Sequence, residues 1–360
     1  MEKVLKNYII LEGLLKRHSI SRTKILRHFK GYAGINWKYV YENPSLFDAE
    51  NLPPHKQLMS DVQNEIHRIS DCGIHSVDNT SMFFPDELKQ IKPEVHLLFT
   101  KGQQSLLTLP KKVAIVGSRK PTAYGRKVAY DLGYYLGKRG VVVVSGMALG
   151  IDAQAHKGCI ESGGNTIAVL ASGVNKIYPS SNEKLYAGIL SSGGLVISEQ
   201  MIDEEPLRHH FPLRNRIISA LADVVVIIEA GEKSGSLITA MHGIEQGKTV
   251  FALPGNIYSP QSEGSNKLLY EGAFPLIKFE HILMHLNLEE ENITSLGANQ
   301  AHLSPVANLI FNFLMQNKRA GLEEIGACVQ IEYSEIYDAV SELILNDLCE
   351  FVTLNEVQLL

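Results

Sequence analysis

The sequence predicts an α/β protein built on a doubly wound parallel sheet, with a smaller, mainly helical unit before it and another after it. Six short apolar segments rich in β-branched residues recur between residues 111 and 255, and helical segments separate most of them. Continuous apolar strands that alternate with helices are typical of a parallel sheet covered on both faces. Right-handed crossovers between such strands produce an extended, Rossmann-like layout.

The six predicted strands follow one another along the middle of the chain. Their segments are 111–117, 141–146, 166–171, 195–199, 223–230 and 248–255. The predicted helices between them are 124–140, 151–164, 182–194 and 214–222. Glycines and serines close most of the strands, as tight turns into a helix require.

The flanking segments have different patterns. Residues 1–75 are predicted to form a helical, SAM-like domain, because apolar residues recur there at three-to-four spacing. Residues 76–286 hold the sheet and a connector with strand-like pieces such as 96–102. Residues 287–302 are polar and acidic, which predicts a linker. Residues 303–360 show three amphipathic helices and then a short β-hairpin, the order of a winged-helix domain.

The composition indicates a globular protein and excludes a membrane protein. Hydrophobic residues make up 45% of the chain and charged residues 20%. No apolar stretch approaches the ~18 residues that span a bilayer. Because Glu12, Lys16 and Arg17 interrupt the N-terminal apolar run, we expect neither a signal peptide nor an anchor. The four cysteines are widely scattered, so we expect reduced thiols, no metal site and a cytoplasmic location.

Charge is distributed unevenly along the chain. Basic and acidic residues number 14 and 12 in residues 1–110, and 18 and 14 in residues 111–279. They number none and four in residues 280–302, and two and nine in residues 303–360. The net charges of these four segments are therefore +2, +4, −4 and −7. A polyanion would be attracted to the first two segments and repelled by the last.

The carboxyl ends of the predicted strands share one chemical character. Most residues there are small, so that backbone N–H groups can approach a ligand, and most of these turns lead into a helix whose N-terminal end favours an anion. These turns are residues 117–119, 145–148, 172–173, 198–199, 231–236 and 254–256. Ligands of open parallel sheets bind beyond the carboxyl ends of the strands. Together with Arg119, Arg214 and Arg216, the turns predict a phosphate-binding edge.

Two common nucleotide sites are missing from these turns. The first turn lacks the G-x-G-x-x-G spacing, and Ser145 and Gly146 stand where a ribose-binding acid would follow the second strand. The chain also has no G-x-x-x-x-G-K-[ST] motif for the phosphates of ATP. We therefore expect no dinucleotide, ATP or other cofactor.

Six motifs occur in a set order along the sheet segment. They are GSRKPTAYG (117–125), VSGMALGIDAQAH (144–156), TIAVLASGVNKIYPSSNEKL (166–185), FPLRNRIIS (211–219), EAGEKSGSLITA (229–240) and FALPGN (251–256). Together they resemble the DNA-processing protein A family, also called DprA or Smf, over about residues 74–279. The resemblance implies a single-stranded DNA-binding protein rather than an enzyme. It further implies a homodimer that protects incoming single strands and loads the RecA recombinase during natural transformation.

A single-strand site combines cationic and amide contacts to phosphates with faces on which bases stack. The expected DNA-binding residues are Gly117, Ser118, Arg119, Ser145, Gly146, Phe211, Arg214, Arg216, Ser234, Gly235 and Ser236, with Lys184 and Lys248 as weaker candidates. For Arg216, a buried ion pair with Asp152 or Glu199 is an equal alternative. Tyr124 and Phe211 stack on bases or pack in the core. His156, His209 and His210 are expected to be structural, because no nucleophile or metal-ligand spacing accompanies them.

An enzyme of the same fold class is the alternative. Phosphoribohydrolases of the "Lonely guy" class share the extended Rossmann-like layout and carry a P-G-G-x-G-T-x-x-E turn after the fifth strand. The corresponding turn here is residues 234–240, and the next acid is Glu245, more than a helical turn beyond Thr239. Without a carboxylate to assist glycosidic cleavage, the turn can bind phosphate but lacks the base.

The C-terminal segment is predicted not to bind DNA. Its candidate recognition helix, residues 333–348, contains no Lys or Arg and has acids at Glu335, Asp338, Glu342 and Asp347. Such a helix would be repelled by phosphates. We expect a protein contact or a mask over the basic edge instead. Its apolar positions are predicted to be core, namely Ile336, Val340, Leu343 and Ile344.

Overall fold

A computed structural model describes residues 2–18, 20–288, 303–329, 333–346, 348–353 and 355–359. Most of the predicted linker, residues 289–302, and Asp347 of the acidic helix lie outside the described residues. Within these ranges, no helix combines the length and the apolar character needed to cross a membrane.

A nine-stranded sheet forms the centre of the molecule and confirms the predicted α/β, Rossmann-like part of the fold. Its strands are β1 (His75–Asp78), β2 (Leu97–Gly102), β3 (Lys112–Gly117), β4 (Val142–Ser145), β5 (Thr166–Leu170), β6 (Leu195–Ser198), β7 (Val224–Ile228), β8 (Thr249–Ala252) and β9 (Phe274–Pro275). They lie in the order β1-β2-β6-β5-β4-β3-β7-β8-β9. The seven strands β3 to β9 are parallel to one another, whereas β1 and β2 add an antiparallel edge next to β6. The chain order reverses beside β3, where a doubly wound sheet opens a crevice.

Helices cover both faces of this sheet because its strands are apolar on both sides. The helices that follow β3 to β9, one after each strand, are α6 (Ala123–Gly137), α7 (Ile151–Glu161), α8 (Glu183–Ser191), α9 (His210–Leu221), α10 (Gly235–Glu245), α11 (Glu263–Tyr270) and α12 (Glu280–His285). All residues of β4, β5, β6 and β7 are buried. One hydrophobic cluster lies under α9 and α10, and another lies under α6 and α7.

The N-terminal helices pack directly against one edge of the sheet. They are α1 (Glu2–Arg17), α2 (Arg22–Phe29), α3 (Trp37–Glu42), α4 (His55–Asp71) and, after β1, α5 (Asp86–Gln90). Residues of α1 to α4 share one core cluster with Leu97 and Phe99 of β2 and with Val196 of β6. The Tyr8 hydroxyl donates a hydrogen bond of 2.7 Å to the Glu199 carbonyl. The N-terminal helices are thus joined to the edge of the sheet through a shared hydrophobic core.

The C-terminal segment forms its own small core. Its elements are α13 (Pro305–Asn317), β10 (Arg319–Gly321), α14 (Leu322–Val329), α15 (Tyr333–Leu345), β11 (Cys349–Thr353) and β12 (Glu356–Leu359). The three strands form an antiparallel sheet in the order β10-β12-β11. Ile336, Val340 and Leu343 of α15 are buried there and Ile344 packs against them, as the apolar pattern predicts.

Candidate nucleic-acid interface

A cleft of about 480 Å³ opens at the carboxyl edge of the sheet, between the ends of β3, β4 and β7. We call it the rim cleft. Its lining comes from residues 116–120, Ala148, Asp152, Phe211, Pro212, Arg214, Asn215, Ile218, Gly231, 233–236, Ile238 and Thr239. Eight of the predicted site residues are among these: Gly117, Ser118, Arg119, Phe211, Arg214, Ser234, Gly235 and Ser236. The topology therefore gathers turns that are more than 100 residues apart into one concave surface.

Positive charge dominates the rim cleft. Arg119, Lys120, Arg214 and Lys233 line it, and Asp152 is the acid among its lining residues. Arg119 and Lys120 are exposed at the tip of the turn after β3, where long side chains can reach an anion. The sequence prediction missed Lys120 and Lys233, although both stand beside predicted residues in the same turns. An excess of cations in a concave site attracts a polyanion.

An aromatic cluster stands at one side of the rim cleft. The Arg119 guanidinium lies over the Phe211 ring, 5.1 Å from its centroid. The Tyr178 ring lies edge-on to Phe211 at a centroid distance of 5.7 Å, and the Tyr178 side chain is 45% exposed. These three side chains also line a smaller adjoining cavity of about 50 Å³. Cation, exposed ring and half-buried ring together offer both a phosphate contact and a stacking surface.

The helix α10 begins at the floor of the rim cleft. Ser234 is its N-cap, and the Ser234 hydroxyl lies 2.8 Å from that of Ser236. Gly235 begins the helix without a side chain to cover the backbone, and nothing lies within 4 Å of the position that a Cβ would take there. The N-terminal end of this eleven-residue helix is thus open to the cleft and favours an anion.

The helix α6, by contrast, already carries an anion at its N-terminus. The buried carboxylate of Glu229, at the end of β7, accepts hydrogen bonds from the Thr122 backbone N–H at 2.7 Å and from the Thr122 hydroxyl. Glu229 takes the place that a cofactor phosphate occupies in a dinucleotide-binding sheet. This contact holds the turn that carries Arg119, and the sequence prediction did not identify it.

Two residues at the end of β4 do not offer the donors that the sequence prediction gives them. The Ser145 hydroxyl is fully buried and donates to the Ile115 carbonyl at 2.6 Å. The Gly146 N–H donates to Asp152 Oδ2 at 3.1 Å, and the Ala148 N–H donates to the same oxygen at 3.4 Å. Burial raises the pKa of Asp152, and the nearby Arg214 guanidinium opposes that rise. Both predicted phosphate donors are therefore used inside the protein, although Gly146 lines the smaller cavity.

Arg214 borders the rim cleft but is mainly structural. Its side chain is 7% exposed, and its guanidinium donates to the Gly146 carbonyl at 2.7 Å and to the Val169 carbonyl. Burial lowers its pKa to about 10, with Asp152 opposing the shift, so it stays charged at neutral pH. A substituent at Gly146 would collide with it, because a Cβ there would lie 2.5 Å from Arg214 Nη1. Arg214, which the sequence predicts to bind DNA, therefore first holds the carboxyl end of β4 against β5.

Arg216 faces away from the rim cleft. Its Nη2 donates to both carboxylate oxygens of Glu199, at 2.9 and 2.8 Å, and its side chain is 3% exposed. Of the two alternatives for Arg216, the structure supports the buried ion pair, with Glu199 as its partner. The two arginines separate because positions two apart on a helix face different sides.

The two lysines predicted as further contacts lie elsewhere. Lys248 precedes β8, and because β8 is parallel to its neighbours, Lys248 lies at the amino edge, opposite the rim cleft. There it lines a separate cavity with Glu87, His242 and Glu245. Lys184 is exposed on the first turn of α8, outside the lining of the rim cleft. Strand direction alone therefore places Lys248 away from the predicted phosphate-binding edge.

Of the three histidines expected to be structural, His156 and His210 are buried, whereas His209 is exposed. His156 is fully buried and its Nδ1 lies 2.7 Å from Thr166 Oγ1, while burial lowers its pKa to about 3. His210 is buried at the start of α9.

Tyr124, for which base stacking and core packing are the alternatives, is 52% exposed, so it is not a core residue. Across the described ranges, no three His, Cys, Asp or Glu side chains are grouped in a way that could hold a metal ion.

The fold and the rim cleft define a Rossmann-like protein with a basic cleft at the carboxyl edge of its sheet. The family described as DNA recombination-mediator protein A matches residues 76–287, and the chain belongs to it. This family is one of recombination mediators rather than enzymes, as the resemblance implies. Because the chain belongs to it, the phosphoribohydrolase alternative is excluded.

Named relatives agree with this assignment. DNA processing protein DprA of Bacillus subtilis is 41% identical over 214 residues, which cover 59% of this chain and 72% of the relative. Protein Smf of Escherichia coli is 41% identical over 225 residues, which cover 62% of this chain and 60% of the relative. This chain thus aligns with less than two thirds of the length of Smf.

Two solved structures resemble this one. DprA from Streptococcus pneumoniae superposes with a TM-score of 0.59 at 32% identity, covering 73% of this chain and 91% of that one. DNA processing protein A from Helicobacter pylori, described for its single-stranded DNA binding mode, superposes with a TM-score of 0.54 at 33% identity. That superposition covers 59% of this chain and 95% of the Helicobacter pylori chain.

Proposed function

We propose that this chain binds single-stranded DNA in the rim cleft, protects incoming strands and loads the RecA recombinase on them during natural transformation in the cytoplasm. The observation that carries the proposal is the cluster of Arg119, Phe211 and Tyr178 beside the open N-terminus of α10. The single-stranded DNA binding mode of the Helicobacter pylori relative supports it.

Different residues of the rim cleft bind the phosphates and the bases of the DNA strand. Arg119, Lys120 and Lys233 hold phosphates by charge, and the first turn of α10 contributes backbone N–H groups. Phe211 and Tyr178 take the bases, which stack on any aromatic face without regard to sequence. Arg119 serves both sets, because its guanidinium already lies over Phe211.

Binding of a thymidine oligomer at several salt concentrations tests the proposal. We expect Arg119→Ala to weaken binding about tenfold at low salt and to reduce the slope of log affinity against log salt by about one, since one phosphate contact is lost. Its melting temperature stays unchanged because Arg119 is exposed. Lys248→Ala at the opposite edge is the matched control and leaves both quantities unchanged. Equal binding by the two variants would overturn the rim cleft as the DNA site.

The base contacts have a separate test. Phe211→Ala is expected to weaken binding of the thymidine oligomer about tenfold while leaving its salt dependence unchanged, because stacking releases no counterions. An abasic oligomer of the same length is the control and binds both proteins alike. A steeper loss with the abasic strand would assign Phe211 to the backbone instead.

We also propose that the chain is a homodimer through the β9 edge of the sheet. Exposed apolar side chains lie on β9 and on the elements next to it in the chain: Tyr270 at 94% exposure, Phe274 at 49%, Ile277 at 69% and Met284 at 69%. An apolar sheet edge is a pairing surface that proteins cover. Phe274→Asp is expected to convert a dimer to a monomer in light scattering after gel filtration, while Leu345→Asp on α15, at 84% exposure, does not. An unchanged dimer would exclude this edge.

The finer domain assignments belong to the same proposal. We assign residues 1–75 to a helical, SAM-like domain and residues 303–360 to a winged-helix-like domain, on the helix and strand order of the latter.

RecA loading is tested by RecA assembly on a DNA strand that is already coated with a single-strand binding protein. The chain is expected to speed assembly, and Arg119→Ala to lose most of that effect; equal assembly with and without the chain would exclude loading.

A further inference from the structure

The outer face of α6 carries a second set of cations and aromatic rings that the rim cleft does not use. Arg126, Tyr130, Tyr134 and Lys138 follow one another at intervals of four residues, so they lie along one side of the helix. Lys157 is exposed on the neighbouring helix α7. We call these five residues the α6 stripe.

The two rings of the stripe form an exposed stack. The Tyr130 and Tyr134 ring centroids are 6.4 Å apart with an angle of 23° between the rings, and the Tyr134 side chain is 39% exposed. The Tyr130 hydroxyl donates to Glu161 of α7, which ties this ring across to the second helix. The Lys138 ammonium lies over the Tyr134 ring, 5.8 Å from its centroid. Rings held in place by neighbours lose little freedom when a base stacks on them.

The stripe is basic as well as aromatic. Arg126, Lys138 and Lys157 have exposed side chains, and Lys127, which is paired with Asp131 at 2.7 Å, adds a cation beside them. Lys157 stands one helical turn before Glu161 on the same outer face of α7. A surface with interleaved cations and rings fits the alternating phosphates and bases of a single strand.

The stripe is continuous with the rim cleft. α6 begins a few residues after Arg119 and Lys120, and Arg126 Nη1 donates to the Pro121 carbonyl in the connecting turn at 3.3 Å. From Arg126 the stripe runs about 18 Å along the helix to Lys138, at 1.5 Å per residue. A strand that leaves the rim cleft beside Arg119 therefore meets this surface next.

We propose that the α6 stripe is an extension of the single-strand site, on which DNA longer than the rim cleft lies with bases against Tyr134 and phosphates against Arg126, Lys138 and Lys157. This inference rests on the proposed function of the rim cleft. It assigns the outer face of α6 to nucleic acid, because both its charge and its rings continue the chemistry of the cleft.

Strand length separates the two sites in an experiment. Affinities are measured by fluorescence anisotropy for a thymidine oligomer of about six nucleotides, which the rim cleft accommodates, and for one of about 20. The full-length chain is expected to bind the longer strand more tightly. Tyr134→Ala and Lys138→Glu each weaken the longer complex about tenfold, the order of one lost stacking or phosphate contact, and leave the shorter complex unchanged.

Matched variants control for surface changes elsewhere. Tyr333→Ala removes an exposed ring from α15, at 46% exposure, and Lys56→Glu reverses an exposed charge on α4. Both are expected to bind the two strands as the unmodified chain does. Circular dichroism melts show that each variant is folded.

The outcomes distinguish this inference from the function of the rim cleft. If the longer strand gains nothing, or if the stripe variants bind it normally while Arg119→Ala weakens both strands, the stripe is not a DNA site and the rim cleft stands. If the short strand does not bind and Arg119→Ala changes nothing, the rim cleft itself fails and the extension fails with it. Loss confined to the longer strand in the stripe variants supports the inference.

Discussion

Two arginines of the rim cleft have different roles at the residue scale. Arg119 is exposed at the tip of a turn, whereas Arg214 is buried against the Gly146 and Val169 carbonyls with Asp152 nearby. The sequence treats them alike, since both are arginines in family motifs close to a strand end. Their roles differ because Arg214 is buried and Arg119 is exposed. Which of them is buried depends on which turns the topology brings together.

Arg214→Ala is expected to destabilise the fold by about 3–5 kcal/mol, because it removes the cation beside the buried Asp152 and the hydrogen bonds to two carbonyls. Urea denaturation measures the loss. Arg119→Ala is the control and changes the free energy of unfolding by less than about 0.5 kcal/mol, as exposed substitutions do. If Arg214→Ala unfolds at the same urea concentration as the unmodified chain, the arginine is a surface contact after all.

His156 is expected to make the protein less stable in acid. Thr166 Oγ1 donates to the Val143 carbonyl, so it accepts from His156 Nδ1–H, and the neutral ring keeps its bare Nε2 buried. The folded pKa of about 3 lies below the unfolded value of ~6.5. Between these pH values the unfolded chain binds one more proton, so stability falls as the pH falls, by up to about 1.4 kcal/mol per pH unit.

Unfolding free energies from pH 7 downwards, together with the NMR titration of the His156 ring, check this. The ring signals are expected to stay those of a neutral Nδ1–H tautomer down to about pH 4, well above the folded pKa of about 3. A midpoint near pH 6.5 would mean that the ring is solvated in the folded protein.

At the scale of elements, the N-terminus of α6 depends on an acid from another strand. Glu229 sits at the end of β7 with φ of +50°, a backbone conformation that few residues other than glycine adopt. Its carboxylate stabilises the helix dipole and holds Thr122. A Cβ on Gly125 would lie 2.5 Å from this carboxylate, so the glycine is what lets the acid approach α6.

Glu229→Gln is expected to cost about 1–2 kcal/mol, because the amide keeps one acceptor but loses the charge at the helix end. Hydrogen exchange of residues 118–126 should speed up, as the turn after β3 loses its main tether. Glu232→Gln, an exposed change in the turn before α10, is the control and leaves exchange unaltered. Unchanged exchange in Glu229→Gln would show that Thr122 alone caps the helix.

The elements of the sheet were predictable because their signal is local. Each parallel strand must be apolar on both faces, so β3 to β8 stand out as β-branched runs between glycines. β1 and β9 were missed because they are four and two residues long and lie at the edges. Phe211 precedes the predicted helix 214–222, but it lies in the first turn of α9, which begins four residues earlier, at His210.

At the scale of the whole molecule, the arrangement of the strands and helices explains most of what the sequence could not show about the candidate site. Strand direction already puts Lys248 at the wrong edge, but the pairing of Arg216 with Glu199 depends on how α9 crosses from β6 to β7. Tyr178 lies 33 residues before Phe211 in the chain and reaches it only because β5 and β6 are neighbours in the sheet. Side chains from non-adjacent turns meet through topology, which a linear pattern does not contain.

The acidic C-terminal segment leads to a prediction about the whole molecule. Residues 303–360 carry two basic and nine acidic residues, and Glu335 and Asp338 are exposed on α15. Because this charge repels phosphates, deleting residues 300–360 is expected to leave affinity for single-stranded DNA equal or up to severalfold higher at low salt. The segment has its own hydrophobic core, so its removal does not open the core beneath the sheet.

Anisotropy titrations at two salt concentrations measure the effect of the deletion on DNA affinity, and any gain in affinity must shrink as the salt concentration rises. A charge-reduced full-length variant, Glu335→Gln with Asp338→Asn, is the control that keeps the segment in place and should show part of the same gain. A marked loss of affinity on deletion would instead make the segment a DNA-binding module despite its charge.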